Sequence, residues 1–305
     1  MIATSDRTAV PETQSGIPVW RRESRGRLGT LGPFYRAGYL NAFLTGRVDD
    51  GREFALVAGT HSRHYPYRHP KSKWDDVLLV IGADTYLATG RRISSLGLAL
   101  GPRDAASVFY NGRAFARSGA AVQLDFQFNL FARVFPPRPQ GIGTRYAVLG
   151  LQWQPALVIG TGSLTIHDTR LRVSQVIGEM ERGGLTSLRG RWFEFGYDYL
   201  CSVRERETPA ACVDFRTYAL HPGRRGLLLR ALLRLRPATE LLTLGPDRLE
   251  PGDPHKLRPQ RDTNLHVMLT NRVDLGPATI SRQIVRINEA GNAGFALHET
   301  FTPNQ

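Results

Sequence analysis

Lysine and cysteine are scarce in this 305-residue chain: Lys71, Lys73 and Lys256 are the only lysines among 40 basic residues, and Cys201 and Cys212 are the only cysteines. Two cysteines rule out a disulfide framework. Without a histidine pair at ligand spacing they also make no zinc site, so no metal is expected. Each lies in a predicted strand and reads as a small core residue in a reducing compartment, with a single bridge across an antiparallel pair left open. The net charge of +13 is therefore arginine charge. It is scattered rather than gathered with exposed aromatics on one element, which argues against a nucleic-acid partner. Long apolar runs are missing too. The longest charge-free stretch, Tyr146 to Ile166, is interrupted by Gln152, Gln154, Pro155 and glycines and alternates like a strand, so no transmembrane helix is expected. The first residues lack the basic start and apolar core of a signal peptide, giving a loose tail over 1–15 and a cytoplasmic location by default.

What the chain does have is period-2 alternation. From Ala121 to Phe135, Val122, Leu124, Phe126, Phe128, Leu130, Ala132 and Val134 take one face, and Gln123, Asp125, Gln127, Asn129 and Arg133 the other. That is a long antiparallel strand with one wet face. Trp192 to Val203 repeats the pattern, and further strands are expected at 39–45, 53–60, 76–83, 146–153, 211–220, 265–271, 278–288 and 294–301. Turns rich in Gly, Pro and Asp join them, which predicts an all-β fold of antiparallel barrels or sandwiches. The glycines from Gly183 to Gly190 mark the best boundary, dividing the chain into a first β-domain over 16–184 and a second over 185–305. Helical periodicity is confined to His221–Pro237, whose leucines and arginines suit first an amphipathic helix or lid, with a leucine-rich strand or weak peripheral contact with a membrane as the alternatives.

The chemistry-bearing segment is Thr161 to Gly184. A hairpin turning at His167-Asp168-Thr169 leads into a strand in which Leu171, Val173, Gln175, Ile177, Glu179 and Glu181 share one face. Carboxylates on an apolar stripe are costly unless paired or protonated, so they are braced by arginines or present for chemistry; otherwise the strand has crossed the rim and both are solvated beside Arg182. The second half ends alike. Phe295, Leu297, Glu299 and Phe301 share a face, so Glu299 interrupts an apolar stripe and reads first as a carboxylate held by an arginine. The segment His61-Ser-Arg63-His64-Tyr-Pro-Tyr-Arg68-His69 reads as a loop at a cavity mouth, where Arg63, His64 and Arg68 would suit an anionic head group.

Several motifs in order carry a resemblance: Gly38-Tyr-Leu-Asn-Ala-Phe-Leu-Thr-Gly46 with Asp50-Gly-Arg-Glu-Phe54, Gly162-Ser-Leu-Thr-Ile166 with Gly178-Glu-Met-Glu-Arg182, Phe195-Gly-Tyr-Asp-Tyr199, and Gly294-Phe-Ala-Leu-His-Glu-Thr300. Over nearly the whole chain they resemble the carotenoid hydratase (hydroxyneurosporene synthase) superfamily, which includes lipocalin-like Diels-Alderases. That resemblance implies two lipocalin-like β-domains side by side, and it puts Glu181 at the acid position. Relatives have Asp there, followed by His or Arg and an aromatic-Gly pair; this chain has Glu181, Arg182 and Gly183-Gly184.

Acid-assisted hydration, cyclisation or isomerisation of an isoprenoid or polyketide-like substrate then needs no cofactor. An apolar cavity keeps a carboxylic acid neutral near pH 7. Glu181 is the expected acid and Glu179 its partner or water-positioning base. Trp192, Tyr197 and Tyr199 form the cavity wall, with Arg182 and Glu299 beside it. The alternative is a non-catalytic lipocalin-like carrier for a lipid with an anionic head group. An arginine on the key carboxylate would favour that reading.

Overall fold

The computed structural model describes residues 34–64, 73–91, 93–100, 105–134, 150–188, 195–205, 211–222, 239–244, 249–251, 265–274, 278–289 and 292–303. Every regular element among them is a strand: β1 Phe34–Val48, β2 Glu53–His64, β3 Lys73–Ile81, β4 Asp84–Gly90, β5 Leu96–Leu100, β6 Ala105–Ala116, β7 Ala121–Val134, β8 Gly150–Ile166, β9 Thr169–Leu188, β10 Phe195–Glu205, β11 Ala211–Pro222, β12 Thr239–Leu244, β13 Leu249–Pro251, β14 Leu265–Asp274, β15 Ala278–Glu289 and β16 Asn292–Pro303. The all-β expectation holds.

Strands β1 to β9 form one antiparallel sheet in the order β4-β3-β2-β1-β9-β8-β7-β6-β5. Its ends meet where Tyr86 and Leu87 of β4 pair with Ala116 and Phe115 of β6, closing an eight-stranded antiparallel barrel with β5 along the other half of β6. Closure removes the open edges that would otherwise invite aggregation. The interior is apolar and filled: Leu40, Leu44, Phe54, Leu56, Leu79, Leu124, Phe126, Phe128 and Val158 are packed there, and Phe54 stacks on Phe128 at 5.8 Å. The inward residues of β7 are those its alternation predicts.

The remaining strands form a second antiparallel sheet, β13-β12-β11-β10-β16-β15-β14. Cys201, Ile284, Phe295 and Leu297 on one of its faces pack against Phe43, Ala55, Val57, Leu78, Val80 and Leu157, which point outward from the barrel. Leu200, Val285, Ile287 and Ala296 take the opposite face. The first sheet thus has two apolar surfaces, one around its own core and one under its neighbour.

Strand β9 departs from the expected single stripe. The single stripe from Leu171 to Glu181 is broken, because Arg47 pairs with Gln175 while Val48 pairs with Val173, leaving Ser174 as an extra residue; Gly160 and Gly162 of β8 show the same shift. A β-bulge of this kind reverses the parity of everything beyond it. Leu171 and Val173 face the barrel interior, and after the bulge Val176 and Met180 take over that role. Ile177 instead joins the core beneath the second sheet. Glu179 and Glu181 alternate with Val176 and Met180, which places them on that outer surface too. They are nonetheless buried, at 1% and 5% exposure, so the solvated-rim reading is also corrected.

Strands β4, β5, β6, β12 and β13 carry no prediction from sequence. In β6 the inward residues include Ala106 and Ala114, too small to stand out against Ser107 and Asn111. The His221–Pro237 segment lies outside the described residues beyond Pro222, where β11 ends.

Candidate active site between the two sheets

Register sets out the site one rung at a time. On the outer face of the barrel, Glu181 of β9 lies opposite Asn41 of β1, Asn41 opposite Gly59 of β2, Gly59 opposite Asp76 of β3, and Asp76 opposite Thr89 of β4. One polar row therefore crosses five strands. On the second sheet, Asn271 of β14 lies opposite Arg282 of β15, Arg282 opposite Glu299 of β16, and Glu299 opposite Tyr199 of β10. The two rows face each other across a seam next to the apolar core that joins the sheets.

Arg282 ties them together. It is fully buried, its Nη1 bonds to Asp76 Oδ1, and its Nε lies 2.8 Å from Glu299 Oε2 in a charge contact rather than an aligned hydrogen bond. Asn271 Nδ2 donates to Asp76 Oδ2 at 3.0 Å and lies 3.4 Å from Thr89 Oγ1. Gly59 makes room for this reach: a Cβ there would lie 2.3 Å from Arg282 Nη1 and 2.6 Å from Asn41 Oδ1. Asn41 Nδ2 donates to Glu181 Oε1 at 3.2 Å.

Two aromatic rings border the polar rows on one side and the inter-sheet core on the other. His61 stacks on Trp74 with ring centroids 3.6 Å apart, and the Arg282 guanidinium lies 5.7 Å from the Trp74 ring. On the core side, the thiol of Cys201 lies 3.6 Å from Glu179 Oε2. At the rim, Arg286 bridges to Glu53 at 2.5 Å, a second ion pair between the sheets.

This setting favours neutral forms. Burial pushes Asp76 up to about 6, with the Glu299 carboxylate adding to the rise and Arg282 and Asn271 opposing it. His61, partly buried as a whole and with its Nδ1 enclosed, is held well below its ordinary range by burial and then by the Arg282 charge.

Of the residues singled out from sequence, Glu179, Glu181 and Glu299 come together at the seam. Arg182 follows Glu181 in β9, with Leu40 as its backbone partner, and Tyr197 and Tyr199 pair with Phe301 and Glu299. Arg63 and His64 end β2, paired with Ala37 and Arg36, so this part of the expected loop is strand. Trp192 lies outside the described residues. Cys201 lies opposite Phe215, whereas Cys212 lies opposite Arg204, so the cysteines are not register partners. Among the described residues no cluster of His, Cys, Asp and Glu has metal-binding geometry.

Sequence reasoning missed Asp76, Arg282, Asn41 and Gly59. Arg282 carried a usable signal: it stands between Ile280 and Ile284 on one face, just as Glu299 interrupts its own stripe.

No protein-family model and no curated protein matches the chain. Solved structures do. An AttH-type protein of Nitrosomonas europaea matches with 9% identity and a TM-score of 0.43, over 88% of this chain and 92% of that one. Kievitone hydratase from Nectria haematococca matches with 10% identity and a TM-score of 0.39, over 87% of this chain and 88% of that one. The chain is also similar to CghA in its ligand complex, with 9% identity and a TM-score of 0.45, over 88% of this chain and 89% of that one.

Proposed function

We propose that the chain is a cofactor-independent enzyme that acts on a hydrophobic, isoprenoid or polyketide-like substrate by acid-assisted hydration, cyclisation or isomerisation at the inter-sheet seam. The observation that carries this reading is the sharing of one buried guanidinium, Arg282, by two buried carboxylates, Asp76 and Glu299. Two acids against one cation in a dry seam favour a retained proton near neutral pH, and Asp76 at about 6 reports that tendency. Both Asp76 oxygens are already engaged, Oδ1 by Arg282 and Oδ2 by Asn271, so Asp76 sets the local field. Glu181, at the far end of the same row and oriented by Asn41, is the proposed acid, and Glu179 two residues before it the water-positioning partner. Protonation of an alkene or a conjugated carbonyl by such an acid raises the rate without a cofactor.

A second reading has one observation of its own. The Arg282–Glu299 pair is a brace, as expected of a lipocalin-like carrier for a lipid with an anionic head group. Purification from the producing host, with mass spectrometry of co-purified lipids, supplies the substrate for a test. Glu181→Gln should lower turnover of that lipid about 100-fold or more. Undiminished turnover by this variant would falsify the acid assignment, and a lipid returned unchanged by the wild type supports the carrier.

A further inference from the structure

The outer face of β7, β8 and β9 carries a second feature. An open groove of about 620 Å³ lies there, its lining including Gln127, Asn129, Ser163, Arg170, Arg172 and Ser174, with Asp49 at its rim. The volume is in the range of small-molecule sites. Among the described residues its polar side chains are not spent on one another. The neighbouring Asn111, Gln123 and Asp125 bond among themselves at 2.8 and 2.9 Å, and Arg47 and Arg52 pair with Glu53, Asp50 and Asp84. Arg170 and Arg172 have no such pairing among the described residues, and they put two guanidinium groups against the single carboxylate of Asp49.

The bulge at Ser174 adds the second observation, because it puts this groove and the buried glutamates on the same face of β9. Moving along that face from the groove, the next rung is Phe131–Ile159–Ile177 and the one after it Leu157–Glu179–Phe43. Exposure falls along this path: Phe131 is 59% exposed, Ile159 37% and Leu157 5%, where the second sheet covers the barrel. The order is basic and polar, then apolar, then acidic. Six ladder steps separate Arg172 from Glu179, roughly 20 Å.

We propose that the groove is the head-group subsite for an anionic amphiphile whose chain lies along the Phe131–Ile159–Ile177 step and whose reacting carbons reach Glu179 and Glu181. A phosphate or carboxylate head suits two guanidinium groups backed by hydroxyl and amide donors. The step from head to seam rests on the proposed function; the groove itself does not.

Binding to the full chain, measured by calorimetry with monomeric dodecyl phosphate, dodecanol and inorganic phosphate, tests this. Dodecyl phosphate should bind far more tightly than inorganic phosphate. The double variant Arg170→Ala/Arg172→Ala should weaken dodecyl phosphate by about tenfold or more and leave dodecanol nearly unchanged. Phe131→Ser should weaken both amphiphiles, and Arg117→Ala, an exposed arginine elsewhere, should weaken neither. The proposal is overturned if the double variant keeps full affinity, or if inorganic phosphate binds as well as dodecyl phosphate. It is equally overturned if the protein sediments with phosphatidylglycerol vesicles while ignoring the monomeric amphiphile, which would make the face a membrane contact. Turnover enters none of these results, so a Glu181→Gln variant that remains active sinks the seam reading and leaves the groove's binding to stand or fall separately.

Discussion

Glu181 and Glu299 occupy the same place in two sheets and meet different partners. Each lies in the final strand of its sheet, β9 or β16, which pairs with the first strand on one side and with its hairpin partner on the other. Both are buried at the seam. Glu299 gets there by unbroken alternation and meets a guanidinium; Glu181 gets there only because a bulge reverses its strand, and it meets the amide of Asn41. Equivalent positions thus give equivalent burial, while the neighbouring strand decides which side chain each carboxylate meets.

The largest expected effect tests the braced side. Arg282→Met leaves Asp76 and Glu299 buried without their shared cation and should cost about 3–5 kcal/mol of unfolding free energy. Urea denaturation at pH 7 measures it, and a loss below about 1 kcal/mol would mean that the seam is not clamped there. Next comes the opening that lets the clamp cross. Gly59→Ala puts a methyl onto Arg282 Nη1 and Asn41 Oδ1 and should cost about 1–3 kcal/mol. In the double variant with Arg282→Met the two losses should be less than additive, because the methyl then fills vacated space.

The smallest effect is a pH slope, and it sharpens the comparison. Asp76 holds its proton up to about 6 in the folded chain against an ordinary value of 3.8, so its contribution to stability falls as pH rises through that window. Burial, and then the Arg282 charge, hold His61 well below its ordinary 6.5 in the folded chain, so its contribution falls as pH drops below that value. Between about pH 4 and 6 the two oppose each other. Relative to wild type, Asp76→Asn should therefore make stability rise with pH and His61→Gln should make it fall, each by up to about 1.4 kcal/mol per pH unit. Slopes of the same sign in both variants would remove the seam as their common cause.

Legibility varied with how local the signal was. Alternation in β7, with large apolar residues on one side and amides on the other, gave the strand, its faces and the all-β class. Glu299 was legible because nothing in β16 disturbs its parity. Glu181 was legible as a carboxylate on an apolar stripe, with its burial left open and its face wrong, since the extra residue at Ser174 has no mark in sequence and appears only in the pairing with β1 and β8. Asp76 opens the apolar run Val77–Ile81 and passed for a strand end. What buries it is the second sheet, whose Arg282, more than 200 residues later, meets its carboxylate.

The sequence alone therefore determined eleven of the sixteen described strands, the all-β class, the arginine-borne charge and the carboxylates out of place on apolar stripes. These follow from side-chain period, composition and turn chemistry, which act between near neighbours. Only the tertiary structure decided which carboxylate meets a guanidinium, that Gly59 is the opening through which it reaches, and that the groove and the glutamates share one face of β9. Those outcomes depend on strand register and on one sheet covering another, and register is settled by contacts among residues far apart in the chain.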